Sequence, residues 1–414
     1  MTERRGRIAD LAWLTSRPLA GLLAALDSDG EEARVSGGAV RDALLGDAPG
    51  DVDVATTATP QVVLARAADR GWKTVPTGLA HGTVTVIVDG TPFEVTTLRR
   101  DVATDGRRAV VAFTRDWAED AQRRDLTING LYLDRSGVVH DHVGGLADLK
   151  ARRVRFIGSA CERIREDYLR ILRFFRFHAR YAEGAPDPDG LLASVRQREG
   201  LVSLSRERVR AELLKLLVAR RAAETIAVMA QAGLLAPLIG GAYRLARLDR
   251  LTRLDARAPD ALLRLAALSQ FVSEDAERLR SRLRLSNAEA ERLEKIGDMI
   301  PALSPDGDEA AARRLLYREG AEAYRDRVRL AWADAGKEPG DWRWAMLLTL
   351  PDRWKAPPLP FSAADLFDRG VPPGPRMGRA LRAAERAWIA ADFPDGATAV
   401  AQVLEFALGE VGEL

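Results

Sequence analysis

Alternating apolar and polar positions are concentrated before Cys161 and almost vanish after it. Thr83-Val84-Thr85-Val86 repeats with period two, and the spacing predicts a strand over residues 83 to 88, with neighbours over 73 to 76 and 92 to 97. Val35 closes a short strand, Asp51-Val52-Asp53-Val54-Ala55-Thr56 has strand character, and these two join the other three in one sheet. Leu131-Tyr132-Leu133 reads as a short strand, and Gly144-Gly145 as a turn feeding a small hairpin at residues 154 to 156. Helical spacing predicts helices over residues 8 to 27, 39 to 45, 60 to 70 and 117 to 122. Residues 163 to 181 read as one continuous helix, and Ser205 as the N-cap of a later one. Leucine- and alanine-rich helices then run from about 220 to 414 without a fixed repeat, broken by Gly and Pro near 240, 305, 336 to 340, 356 to 360 and 370 to 375. Residues 99 to 115 lack a clean period and carry an Asp105-Gly106 turn, which predicts a mobile loop. The pattern is that of an α+β head followed by an all-helical remainder.

At 414 residues, the chain is long enough for two to four domains. The pattern changes divide it into 1–150, 151–220, 221–355 and 356–414. The 62 basic residues against 60 acidic ones leave a net charge of +2, so net charge alone points to no polyanionic partner. Arginine strongly outnumbers lysine, and its planar guanidinium suits phosphates and base edges. One cysteine, Cys161, excludes a disulfide framework and a multi-cysteine zinc site, and fits a reducing, cytoplasmic setting. No apolar run has the length of a signal peptide or a membrane span, so a soluble protein is expected.

The candidate chemistry gathers in Ser36 to Thr56. Period-two geometry turns Val52 and Val54 to a core and presents Asp51 and Asp53 together on the other face, where paired carboxylates suit a hard cation such as Mg²⁺. Gly37-Gly38 forms a tight turn before a helix whose N-terminal amides suit a phosphate, with Arg41 beside it. The bland alternative is an ordinary turn followed by a solvated acidic strand. Glu94 can bring a third carboxylate to the pair or sit on an edge strand. Arg123, Arg124, Asp125 and Asn129 combine cations, a carboxylate and an amide as ribose and triphosphate contacts require. Asp167, Arg170, Arg173 and Arg176 recur at intervals of three beside Glu166, and a guanidinium next to a carboxylate can meet a base edge. Basic runs at residues 278 to 284 and 376 to 386 are ordinary helix faces or a track for a phosphate backbone. His140-Asp141-His142 has the spacing of a metal pair, but the glycines after it favour a turn.

Taken in order, Ser36 to Thr56, Phe93 to Arg99, Arg123 to Asn129, Glu166 to Arg176 and Ser205 to Glu212 resemble the successive motifs of the class II tRNA nucleotidyltransferases, the CCA-adding enzymes, and of the bacterial poly(A) polymerases that share their catalytic head. The resemblance covers roughly residues 30 to 220. It implies a polymerase-beta-like nucleotidyltransferase head on a helical neck, body and tail, with tRNA, CTP and ATP as substrates and two Mg²⁺ ions as cofactors. By the same resemblance Asp51 and Asp53 hold metal, Gly38 and Arg41 the triphosphate, and Arg124 the nucleotide. Asp167 and Arg170 template the incoming base, Arg173 and Arg176 line its pocket, and Glu207 and Arg208 support the template helix. Leu126 and Gly130 depart from the common pattern without removing a polar group. A poly(A) polymerase, an enzyme adding only CC or only A, and an inactive RNA-binding protein on the same scaffold are the alternatives.

Overall fold

β-branched alternation in the first third of the chain builds a mixed sheet. A computed structural model describes residues 4–7, 12–105, 108–297 and 303–412. Its strands are β1 (Arg4–Arg7), β2 (Ala33–Ser36), β3 (Asp53–Thr56), β4 (Lys73–Gly78), β5 (Thr83–Val88), β6 (Thr91–Thr97), β7 (Arg99–Asp105), β8 (Arg108–Phe113), β9 (Leu131–Leu133) and β10 (Val138–Asp141). Eight of them form one sheet in the order β1-β10-β9-β2-β3-β6-β5-β4, and β7 pairs with β8 alone. Every pair in the large sheet is antiparallel except β3 with β6, which sets Asp53 beside Glu94. In β5 the alternation is realised directly, because Val84, Val86 and Val88 are buried while Thr83, Thr85 and Ile87 are half-buried.

Helices α1 (Arg17–Leu26), α2 (Gly38–Leu44), α3 (Pro60–Asp69), α4 (Trp117–Gln122) and α5 (Gly145–Lys150) pack around the sheet. Leu19, Leu22, Leu23 and Leu26 of α1 are buried, each stabilising the fold by about 1.5–3 kcal/mol. Helices α6 (Ala160–Glu166), α7 (Leu169–Tyr181), α8 (Pro188–Arg196), α9 (Arg206–Leu217), α10 (Ala222–Gln231) and α11 (Ala236–Ile239) follow, with α9 packed on α7.

Several expectations are corrected. The segment predicted as a mobile loop is the β7–β8 hairpin, with Asp105 opposite Arg108 and the turn residues Gly106 and Arg107 outside the described residues. An Asp-Gly dipeptide between strand-forming runs is a hairpin signal, which the surrounding charge obscured. The hairpin expected at 154 to 156 is a single bridge between Leu126 and Phe156, and its expected turn opens α5. The Asp141 carboxylate accepts four N–H groups there, from Val143, Gly144, Gly145 and Leu146, so the residue between the two histidines builds a turn. The helix expected over 163 to 181 is broken: Asp167 is extended, at φ −160° and ψ 109°, between α6 and α7. Ser205 precedes α9 but makes no side-chain cap bond. The first expected helix begins at Arg17, and its positions 8 to 11 lie outside the described residues.

The chain divides into two units, Met1–Gly241 with Arg282–Arg284, and Ala242–Ser281 with Leu285–Leu414. The second is helical: α12 (Leu245–Leu254), α13 (Ala261–Ser269), α14 (Glu274–Leu283), α15 (Asn287–Gly297), α16 (Glu309–Ala335), α17 (Trp342–Leu348), α18 (Leu350–Arg353), α19 (Ala363–Phe367), α20 (Pro375–Ala390) and α21 (Ala397–Gly412). Tyr324, Trp332 and Trp344 centre one apolar cluster, and Trp388 with Phe361 another. Arg292 joins Asp260 and the buried Asp326 across three of these helices. Among the described residues no helix is long and apolar enough to cross a membrane.

Candidate active site

The first unit holds a cleft of about 490 Å³ lined by residues from the sheet, from α2 and from α7. Gly37, Gly38, Arg41, Asp53, Glu94, Arg124, Asp125, Asn129, Asp167, Arg170 and Arg173 all contribute. Asp51 and Arg176 do not. Asp51 is exposed in the bend before β3, and Arg176 turns to Glu212 on α9, Nε to Oε2 2.6 Å. Sequence alternation placed Asp51 inside the strand, whereas the pairing with β2 begins only at Asp53.

Asp53 and Glu94 sit side by side on adjacent parallel strands. Burial and then the Glu94 charge push the Asp53 carboxyl above its ordinary range, with Asp51 adding to the rise and Arg124 partly offsetting it. Among the described residues no group of three His, Cys, Asp or Glu is close enough to cage a metal by itself. The acidic group fits a divalent cation on other terms, since a cation relieves the like-charge repulsion around Asp53 and can complete its shell with phosphate oxygens, as Mg²⁺ sites commonly do.

The glycine turn has a steric reason. Gly37 stands at φ 67° and ψ −114°, and a Cβ there would lie 3.2 Å from Arg124 Nη1. Arg41, next on α2, is buried and bonded at each nitrogen: Nε donates to Asp42 Oδ1 at 2.9 Å, Nη1 to Asn129 Oδ1 at 2.6 Å and Nη2 to the Tyr181 hydroxyl at 2.7 Å, which leaves further N–H groups of the guanidinium for a ligand. Asn129 Nδ2 in turn donates to Asp125 Oδ1 at 3.0 Å, and Asp125 Oδ2 accepts from Arg173 Nε at 2.6 Å. Burial opposes the charge on Asp125, but the Arg173 guanidinium outweighs it and holds the carboxyl far below the usual range.

Arg124 is positioned by residues that sequence reasoning did not single out. Asp120 Oδ2 accepts from its Nε at 3.4 Å, its Nη2 at 3.3 Å and the Tyr132 hydroxyl at 2.7 Å, while Oδ1 accepts from Arg123 Nε at 2.8 Å. The guanidinium also lies over the Tyr132 ring, 5.0 Å from its centroid. Asp120 is 1% exposed, yet Arg124 and Arg123 overcome the cost of burial and hold its pKa at about 2. Asp42, Phe177 and Tyr181 were likewise missed. The local signals were the adjacency of Asp42 to Arg41 and the i, i+4 spacing of Phe177 and Tyr181 on α7, whereas the bonds from Arg41 to Asn129 and Tyr181 are long-range.

Asp167 and Arg170 both reach the cleft but do not share a helix. Asp167 Oδ1 accepts from the Leu169 amide at 3.1 Å, and Oδ2 from Arg208 Nη2 at 2.5 Å. Arg170 Nη1 is bonded to Glu166 and donates to the Arg163 carbonyl at 3.0 Å. An acidic cluster, guanidiniums at two ends and mixed donors and acceptors in one cleft are the equipment for transferring a nucleotide from a triphosphate.

A mixed-sheet head with such a cleft defines a nucleotidyltransferase. The family model for the poly A polymerase head domain matches residues 33–155, and that for the probable RNA and SrmB-binding site of polymerase A matches 187–242. The mitochondrial CCA tRNA nucleotidyltransferase 1 of Danio rerio is 34% identical over 397 residues, spanning 89% of this chain and 86% of its own. The CCA-adding enzyme of Geobacillus stearothermophilus is 35% identical over 379 residues, spanning 89% of this chain and 91% of its own. The crystal structure of the Bacillus stearothermophilus CCA-adding enzyme in complex with CTP aligns with a TM-score of 0.73 at 28% identity, covering 96% of this chain and 99% of that one. The chain belongs to the family of CCA-adding enzymes.

Proposed function

We propose that this chain rebuilds the 3′ end of tRNA, adding C, C and A from CTP and ATP with release of pyrophosphate. The observation that carries the reading is the single cleft in which Asp53 and Glu94, suited to phosphoryl transfer, share a lining with Asp167 and Arg170, suited to a base edge. Two Mg²⁺ ions, held by Asp51 and Asp53 with Glu94 beside them, would lower the pKa of the primer 3′-hydroxyl and offset charge on the departing pyrophosphate. Gly38, Arg41 and Arg124 hold the triphosphate. Asp167 and Arg170 read the base, and because each is already bonded, to Arg208 and Glu166, base entry exchanges one set of partners for another. Asp125, Asn129 and Arg173 fix the geometry between the two ends, and Arg176 supports α7 through Glu212.

Docking of the tRNA is assigned to the helices of segments 221–355 and 356–414, with 1–150 as catalytic head and 151–220 as neck. The exposed arginines of α20 are the strongest candidates for phosphate contacts. A cytoplasmic setting is supported by the single free thiol, Cys161.

The test is incubation of the protein with Mg²⁺ and tRNA lacking its 3′ CCA, supplying CTP, ATP and both in turn. CTP alone should add two residues, both nucleotides three, and Asp53→Ala none. A long tail from ATP alone would replace this reading with poly(A) synthesis, and a product stopping at CC or needing a CC end would assign a partial enzyme. RNA binding without any incorporation would leave an inactive scaffold.

A further inference from the structure

Tyr181 closes α7 with a hydroxyl that the reaction outlined above leaves unused. The residue is 3% exposed, and its ring stacks on Phe177 with centroids 5.7 Å apart. The hydroxyl accepts from Arg41 Nη2 at 2.7 Å and donates to Asp42 Oδ1 at 2.9 Å, while the Arg41 guanidinium lies 4.3 Å over the ring. Burial, with the Asp42 charge, raises the phenol to about 12 against the pull of Arg41, so it keeps its proton near neutrality and serves as donor and acceptor at once.

These contacts join two helices with different tasks. Helix α2 carries Gly38 and Arg41 at the phosphate end of the cleft, and α7 carries Arg170 and Arg173 towards the base end. The other two bonded edges of the Arg41 guanidinium go to Asp42, on its own helix, and to Asn129, on the turn before β9. Among the described residues the edge held by Tyr181 is the direct hydrogen bond from this guanidinium to α7, and beside it the Phe177 ring, 5.1 Å from the guanidinium, the Arg180–Asp42 ion pair at 3.5 Å and the path through Asn129, Asp125 and Arg173 also link the two helices. A nucleotide is one rigid demand on both helices, because its base and its triphosphate must be met together, and small errors in such spacing are costly.

We propose that Tyr181 is a positioning residue for the nucleotide, setting the Arg41 guanidinium at a fixed place relative to α7 so that the triphosphate and the base are engaged at the same time. This rests on the reading of the cleft as a CTP and ATP site.

Tyr181→Phe keeps the ring and removes only the hydroxyl. Steady-state incorporation on tRNA lacking CCA should show KM for CTP and for ATP each raised about five- to thirtyfold, the effect of removing one or two hydrogen bonds, with kcat within about twofold. The KM for tRNA and the preference for C and A over U and G should stay at parental values, and the thermal midpoint within about 4 °C. A merely structural role would instead lower the midpoint and the amount of active enzyme while leaving both nucleotide KM values alone, and that result overturns the proposal. Asp42→Asn combined with Tyr181→Phe supplies a second reading. Residues acting as one unit should give a doubly substituted enzyme whose KM is close to that of the worse single variant, whereas multiplied effects overturn the proposal. A parent enzyme that incorporates neither nucleotide overturns the functional reading and this inference with it. An active parent alongside an unchanged Tyr181→Phe overturns this inference alone.

Discussion

Helices α7 and α20 carry arginines at nearly the same spacing and hold them in opposite ways. On α7 each arginine is tied to a carboxylate: Arg170 to Glu166, Arg173 to Asp125, Arg176 to Glu212 and Arg180 to Asp42. On α20, Arg376, Arg379, Arg382 and Arg386 are exposed, and among the described residues none has a carboxylate within ion-pair distance. A guanidinium fixed by a half-buried or buried partner has a set position and can discriminate one ligand edge from another, because a mispaired contact stays mispaired. An exposed, unpaired arginine on a flexible stem offers charge without a fixed geometry, which suits a backbone of repeating phosphates and carries no sequence preference. In the proposed function, the contrast separates choice of nucleotide on the α7 side from grip on RNA by α20.

The largest effect that would sharpen this contrast belongs to α20. Replacing Arg376, Arg379, Arg382 and Arg386 by Ala should weaken tRNA binding about tenfold to a hundredfold at low salt and flatten the salt dependence by up to about 0.7–0.9 in log-log slope for each phosphate no longer neutralised. Nucleotide preference should be untouched. Filter-binding or fluorescence titrations across a salt series give both numbers, and an unchanged slope would break the assignment.

On the paired side, the effect to seek is stability with a defined pH dependence. Asp120, which anchors Arg123 and Arg124, has its folded pKa depressed to about 2. A depressed carboxylate stabilises the fold above its unfolded pKa and loses that contribution as pH falls through the folded value. Asp120→Asn should therefore cost about 2 kcal/mol in denaturant unfolding at pH 7, with about half of that difference gone by pH 3. A difference that does not change between these two pH values would mean that the charge on Asp120 is not what holds the arginines.

Legibility in the sequence followed the range of the interactions. Strands β5 and β6 and the pairing of apolar with polar positions were readable because period two is a local property of Thr83 to Val88 and Phe93 to Thr97. The glycine turn was legible from Gly37-Gly38 itself, and period two put Asp53 and Glu94 on strands while leaving Glu94 open between the acidic pair and an edge position. The break at Asp167 was not, since Arg163 to Tyr181 keeps helical spacing throughout, and the extended residue there is favoured by the bond that the Leu169 amide donates to the Asp167 carboxylate and by the tie to Arg208. The roles of Asp120, Tyr132 and Tyr181 depend on partners 3 to 140 residues away, the most distant of them unannounced by the local sequence. Charge misled in one place: the arginines and aspartates around Asp105-Gly106 suggested a loop where two strands pair.

The central claim is that fixed groups at the start of α7 choose the nucleotide, and single-nucleotide incorporation by Arg170→Ala and Asp167→Ala tests it most directly. Cytosine and adenine both present an exocyclic amino donor beside a ring-nitrogen acceptor, whereas uracil and guanine present a carbonyl and a protonated ring nitrogen. With about 1–3 kcal/mol at stake for each of two contacts, the parent should favour CTP over UTP, and ATP over GTP, by roughly tenfold to ten-thousandfold in kcat/KM. Both variants should lose most of that preference, with UTP and GTP gaining relative to CTP and ATP. Ratios that stay at the parental value in both variants would contradict the account and place base selection outside Asp167 and Arg170.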